Sequence, residues 1–181
     1  MERYRPLLRV QARVVLLRLD PRLRRRFDSS DLVHDTLVSA YEKRDQFRGN
    51  PGPELENWLR EILVHTAIDK VREHRAQKRD VALERSLQDQ AAQSSARIVE
   101  ILAPTSSPSQ QAEREEMKLR LAAALEQLPE EQRNVIIHRY LLGSQTPVAQ
   151  IAEQMGCTPK AVAGLLYRAK HRLRELLEED Q

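Results

Sequence analysis

The stretch from Val148 to Arg174, V-A-Q-I-A-E-Q-M-G-C-T-P-K-A-V-A-G-L-L-Y-R-A-K-H-R-L-R, decides how this chain is read. Val148 to Met155 has the length of a short helix, and Gly156-Cys157 interrupts it. Thr158 is a good N-cap for a second helix. Pro159 falls at that helix's first position, where a missing N–H removes no bond. Ala152 is small where two helices must cross closely, and Gly156 supplies the positive φ that a tight interhelical turn requires. Val162 then plugs the space between the two helices. With Ile151, Met155 and Cys157 as apolar supports, this spacing is that of a helix-turn-helix, which lays its second helix in a DNA major groove.

The second helix sorts cleanly at 3.6 residues per turn. Val162, Leu166, Ala169, Leu173 and Leu176 share one narrow face, the expected core. Lys160, Ala163, Gly164, Tyr167, His171 and Arg174 share the opposite one, with Arg168 at its flank. Between Lys160 and Arg174 the chain places Lys160, Arg168, Lys170, Arg172 and Arg174 with no carboxylate, although its net charge is only +3. Cations can hold phosphates while small residues let the backbone approach the groove. Charge alone would describe any solvated face. Gly164 is the discriminating residue, because an exposed glycine in mid-helix costs about 1 kcal/mol relative to alanine and so needs a reason.

Working outward, the block 113–181 begins with two more helical patterns. Leu119, Leu121, Ala122, Leu125 and Leu128 form one, stopped by Pro129; Glu130 to Leu141 forms the next, with Val135, Ile136, Ile137 and Tyr140 inside. Residues 81–112 are rich in Gln, Ser and Ala, with sparse apolar positions, and read as a flexible linker. Residues 1–80 form a further helical block. Its first helix carries Leu7, Val10, Val14 and Leu17 and stops near Asp20-Pro21. The next starts after Asp28-Ser29-Ser30, three good N-caps, with Leu32, Val33, Leu37, Ala40 and Tyr41 as its apolar face. Arg48 to Pro53 is a turn, and a third helix runs from Glu54 through Trp58 and Ile62 to a basic run, Arg72 to Arg79. With 5 Gly and 4% aromatics in 181 residues, the fold class is all-α: two small helical domains joined by a linker.

Several function classes are set aside by composition. One cysteine, Cys157, forms no internal disulfide and suits a reducing compartment. The longest apolar run near the start, Val14 to Leu17, is too short for a signal peptide or a membrane span, so the expected location is cytoplasmic. There is no Gly-rich phosphate loop, no H-E-x-x-H and no nucleophile–base constellation, and the 5 His are scattered. No enzyme activity, metal, cofactor or small-molecule substrate is expected.

The remaining motifs narrow the reading. Phe27 to Thr36, F-D-S-S-D-L-V-H-D-T, resembles the acidic helix of sigma region 2. Phe47-Arg48-Gly49, then Trp58 to Leu63, then Ala67 to Arg72 resemble the run that follows it in that region, and Leu125 to Arg133 resembles the opening of sigma region 4. The chain is thus similar to extracytoplasmic-function members of the sigma-70 family, with motifs in the right order over both blocks. The resemblance implies core RNA polymerase and promoter DNA as partners and leaves room for an anti-sigma protein. It implies that Asp31, Leu32, Asp35 and Thr36 face polymerase. Arg48, Gly49, Asn50, Trp58, Arg60, His65, Arg72, Arg75, Lys78 and Arg79 would meet the −10 element, the loop Arg48 to Pro53 capturing a flipped base. Thr158, Lys160, Ala163, Gly164, Tyr167, Arg168, Lys170, His171 and Arg172 would meet the −35 element.

Three departures from the family pattern stand out. The loop before Trp58 is about two residues longer and carries two prolines; His65 replaces an Asn; and Ala163, Gly164 and Leu165 replace Lys, Ser and Arg. The rival reading is a helix-turn-helix regulator acting without core polymerase. It needs a dimer seam or effector pocket, and the first block shows neither, while it does show an acidic docking helix.

Overall fold

The computed structural model describes residues 1–19, 28–75, 85–89, 91–93, 96–97, 111–142 and 146–179, and every regular element among them is helical. The chain divides into two compact units, Met1–Ser95 and Ala96–Gln181. The boundary falls inside the range expected as linker, where helical turns at 85–89, 91–93 and 96–97 are described and Leu87 and Ala91 are fully buried.

The first unit is built on three helices: α1 (Arg5–Arg18), α2 (Ser29–Glu42) and α3 (Pro53–Arg75). All three pack on one another. α1 is buried around most of its circumference, through Leu7, Leu8, Val10, Ala12, Val14, Val15 and Leu16. Leu17, expected in the core, is only half-buried. A helix enclosed on so many sides loses the one-face pattern that its leucines suggest.

Asp28 starts α2. Its carboxylate accepts from the backbone N–H of Ser30 at 2.7 Å and of Asp31 at 2.9 Å, and Asp31 accepts in return from the Asp28 N–H at 3.5 Å. This reciprocal box satisfies donors that a helix start otherwise leaves open. Leu32, Val33, Leu37 and Ala40 point inward as the periodicity predicts. Tyr41 does not: it is 64% exposed, with the Arg44 guanidinium stacked 4.6 Å from its ring centre. One residue beyond Ala40, the helix has turned 100° and carried Tyr41 off the buried stripe.

The second unit packs α4 (Gln111–Gln127), α5 (Glu130–Ile136), α6 (Val148–Met155) and α7 (Pro159–Glu179). α7 touches each of the other three. The helix expected to run from Glu130 to Leu141 changes character midway: Ile137–Leu141 form a single π turn, closed by the Leu142 N–H on the Ile137 carbonyl at 3.0 Å. The wider turn brings Ile136, Ile137, His138 and Leu141 all inward. Arg120 donates to the Leu177 carbonyl at 2.8 Å, tying α4 to the end of α7.

Replacing Asp28 by Ala should destabilise the chain by about 1 kcal/mol in urea unfolding, the usual cost of a lost N-cap, while Asp28→Ser should retain most of the stability. An Ala variant as stable as the parent would mean the box does not hold α2.

Candidate nucleic-acid interface

Gly156 ends α6 in the left-handed region, at φ 64 and ψ 33, and the Cys157 N–H closes back on the Ala152 carbonyl at 2.9 Å. This is the Schellman closure, which a residue with a Cβ adopts only under strain. The Thr158 hydroxyl accepts from the Ala161 N–H at 3.2 Å, capping α7. Ile151, Ala152 and Val162 are buried where α6 and α7 meet. The helix-turn-helix expected from the sequence is present in each part.

Its outer face is sorted by what each cation already touches. Lys160, Arg168 and Arg174 are exposed, with no ion pair among the described residues. His171 and Arg172 both reach Glu175, at 3.1 Å each. Lys170 lies 5.4 Å from the ring centre of Tyr140. Tyr167 stands 73% exposed, Ala163 is exposed, and Gly164 is half-exposed between them. A Cβ built on Gly164 would meet only the Arg168 guanidinium, at an ordinary 3.4 Å. No packing inside the chain therefore demands glycine at this position. Beside the face, Pro129 and Gln132 join Tyr167, Arg168, His171 and Arg172 around an open concavity of about 480 Å³.

Two expectations for this helix change. Leu165, which the face assignment left unplaced, is 9% exposed and faces the core, so within the departure at residues 163–165 only Ala163 and Gly164 lie outward. Leu166 and Leu173, expected in the core, are half-buried at its edge.

On α2, Asp31 is exposed and the Asp35 side chain is 44% exposed, but Leu32 and Thr36 are completely buried. The Thr36 hydroxyl donates to the Leu32 carbonyl at 2.6 Å. These two residues hold the helix to its unit and present nothing outward, which corrects the placement of both on a docking surface. The outward ridge is instead Asp31, His34, Asp35, Val38 and Tyr41, at the helical spacing of three and four. Asp35 is bonded to Lys70 of α3 at 2.5 Å. Asp31 has one oxygen committed to the Asp28 cap.

The loop before α3 brings Arg48, Gly49 and Asn50 together at the surface, and the Phe47 and Trp58 rings pack beneath, 5.2 Å apart at 41°. On α3, the cations expected to meet the −10 element are not the outermost residues among those described. The most exposed ridge of that helix reads Glu54, Asn57, Glu61, His65, Asp69, Glu73. Arg60 lies half-buried beside that ridge and donates to Asn57 at 2.8 Å; Arg72 pairs with Asp69 at 3.1 Å. The acids take the outermost positions because the long arginines extend along the surface to reach them. Of the other expected contacts, Arg75 is described only in its backbone, and Lys78 and Arg79 lie outside the described residues.

Sequence reasoning missed Val38, Tyr41, Glu54, Lys70 and Glu175. The i+3 and i+4 spacings of His171 and Arg172 to Glu175 could have shown that pairing. No sequence signal could have paired Asp35 with Lys70, from different helices. Among the described residues, no helix is long and apolar enough to cross a membrane.

Comparison with known proteins agrees with this layout. Residues 1–77 match the family described as Sigma-70 region 2, and residues 118–173 match Sigma-70, region 4. The ECF RNA polymerase sigma factor SigG of Mycobacterium tuberculosis is 30% identical over 155 residues, in strains CDC 1551 / Oshkosh and ATCC 25618 / H37Rv alike. The alignment covers 81% of this chain and 41% of that protein, so the chain spans about two fifths of the length of these relatives. A solved structure of the sigma factor RpoE in complex with the anti-sigma factor NepR, from Bartonella quintana, aligns at 24% identity and a TM-score of 0.33, covering 98% of this chain and 93% of that one. With region 2 and region 4 matched in order on the two units just described, the chain belongs to the sigma-70 family and is similar to an extracytoplasmic-function (ECF) member of it.

Proposed function

We propose that this chain serves as a promoter-recognition subunit of RNA polymerase. The first unit docks on core polymerase through the outward ridge of α2 and engages the −10 element through the loop Arg48 to Pro53. The second unit holds −35 DNA with the outer face of α7. The chain catalyses no chemistry of its own, needs no cofactor or small-molecule substrate, and works in the cytoplasm.

One observation carries this reading. A single chain presents both an acidic and apolar ridge on a capped helix and an outward helix face of cations and small residues. A regulator that binds DNA alone uses the second surface and leaves the first without a purpose. The ridge has the composition of a protein contact: exposed Val38 and Tyr41 supply area, while Asp31 and Asp35 select a basic partner. The α7 face suits DNA, since Lys160, Arg168 and Arg174 can hold phosphates while Ala163 and Gly164 let the backbone approach.

Purified chain mixed with core RNA polymerase should co-migrate with it and start transcripts at discrete sites in the host's own upstream DNA. Tight binding to duplex DNA without core, and no transcripts with it, would instead support the regulator. Because Asp31 also caps α2 and Asp35 pairs with Lys70, the docking ridge is best tested at Val38 and Tyr41. The double variant Val38→Ser, Tyr41→Ser should bind core at least about tenfold more weakly with unchanged urea unfolding, an expected loss of about 1.4 kcal/mol at an apolar contact. Unchanged core affinity would remove the ridge from the interface. Gly164→Ala should raise stability by about 0.5–1 kcal/mol, because the added methyl fits and helix propensity improves. The same change should weaken binding of the polymerase complex to upstream promoter DNA several-fold, and a stability gain without that loss takes Gly164 off the DNA.

A further inference from the structure

The loop that joins the short 3₁₀ turn Arg44–Gln46 to α3 is held around a carboxylate. Glu54 folds back beneath it, and one of its oxygens, Oε2, accepts the Asn50 N–H at 3.0 Å. Gly49 makes the space for this. A Cβ there would stand 2.6 Å from Glu54 Oε2 and 2.9 Å from two carbons of the Phe47 ring, too close for any side chain unless the carboxylate or the ring moved. Phe47 in turn is packed on Trp58. At the far end, Gly52 takes φ 112, and its carbonyl accepts from the Tyr4 hydroxyl at 3.4 Å and the Glu56 N–H at 3.0 Å. The loop is thus fixed at both ends.

Glu54 is nevertheless exposed, and among the described residues Oε1 has no hydrogen-bond partner. Arg48, which precedes Gly49 in the chain, is exposed and has no ion pair among the described residues. A loop that carries both a fixed acceptor and an available cation can serve a nucleotide. The cation takes the phosphate, and the acceptor meets the edge of the base.

We propose that Glu54 sets the base preference of this loop, admitting a base with an exocyclic amine and rejecting thymine. The inference rests on the function proposed above, in which the loop takes up an unpaired base. An unpaired base turns its Watson–Crick edge to the protein. A carboxylate can only accept. Adenine and cytosine offer it an amine, as in the pairing of Glu with cytosine N4. Guanine offers an amine and a ring N–H side by side. Thymine offers a single N–H between two carbonyl oxygens, and both of those oxygens repel the carboxylate. Asn50 fixes the direction in which Oε1 points, so the discrimination is built in before the base arrives.

The test uses polymerase reconstituted from core and the full chain, on a promoter mapped by its own transcripts. Fork-junction DNA is prepared with the non-template strand of the −10 segment unpaired and all four bases tried at each position. With the parent chain, one position should bind thymine roughly five- to hundredfold more weakly than the amine-bearing bases, the range expected for a directed contact to a base edge. Glu54→Gln keeps an acceptor for the Asn50 N–H and adds a donor for a carbonyl, so it should abolish that discrimination at that position and no other. Gly49→Ala, which displaces the carboxylate, should do the same. A Glu54→Gln profile identical to the parent at every position overturns the inference. A polymerase complex that never forms overturns the parent reading and this one with it, whereas a complex that forms with an unchanged profile overturns this one alone.

Discussion

The left-handed turn at Gly156 is the constraint on which the second unit depends. With the Cys157 N–H closed on the Ala152 carbonyl, α6 must stop and the chain must leave in a new direction before α7. An L residue with a side chain would pay roughly 1–2 kcal/mol to take that backbone. Once the turn is made, Ile151 and Ala152 meet Val162, and the phase of α7 is set. Leu165, Ala169 and Leu176 follow Val162 inward. Lys160, Ala163, Tyr167, Arg168 and Arg174 have no choice but to face out. One backbone angle therefore decides which side chains are available to a partner.

Availability is a second filter, and it acts on charges. Glu175 is shared by His171 and Arg172, Asp35 is held by Lys70, and Arg72 is held by Asp69. Exposed pairs of this kind contribute less than about 1 kcal/mol each and are screened by salt. They are too weak to withhold a side chain from a phosphate or a basic partner, but strong enough to bias where it points. The Asp35–Lys70 pair has a particular consequence, because it joins the ridge of α2 to α3. A basic group drawn to Asp35 would compete with Lys70 and release its ammonium from the pair.

Much of this was legible in the amino-acid sequence, and the legible part is local. The cap at Asp28, the cap at Thr158, the glycine turn and the inward face of α7 each rest on residues within a turn or two of one another. What escaped is what depends on phase or on distant partners. Tyr41, Leu166 and Leu173 leave the expected core because a buried stripe is bounded by neighbouring helices, not by the helix that carries it. Leu32 and Thr36 look like members of an acidic motif, yet a helix turns 100° between residues and sends them to the opposite side from Asp31 and Asp35. Arg60 and Arg72 of α3 differ from their expected outward placement for another reason. Arginines are counted easily in a sequence, but their heads lie wherever Asn57 and Asp69 draw them.

On the proposed function, these placements would divide the work of recognition unevenly between the two units. Reading a base requires a donor or acceptor held in a known direction. At the middle of the α7 face stand Ala163 and Gly164, which have no hydrogen-bonding side chain, so close approach is what that region offers. The cations around them can bind phosphate at any sequence, and affinity gained that way falls steeply with salt. The loop of the first unit is the reverse case: few charges, but a carboxylate fixed by Asn50 in the space that Gly49 leaves. On the proposed function, α7 supplies general grip on the DNA and the loop supplies discrimination. Raising the salt should therefore loosen the complex while leaving the ranking of bases at the loop unchanged, since screening acts on the phosphate contacts and not on the direction of a short hydrogen bond.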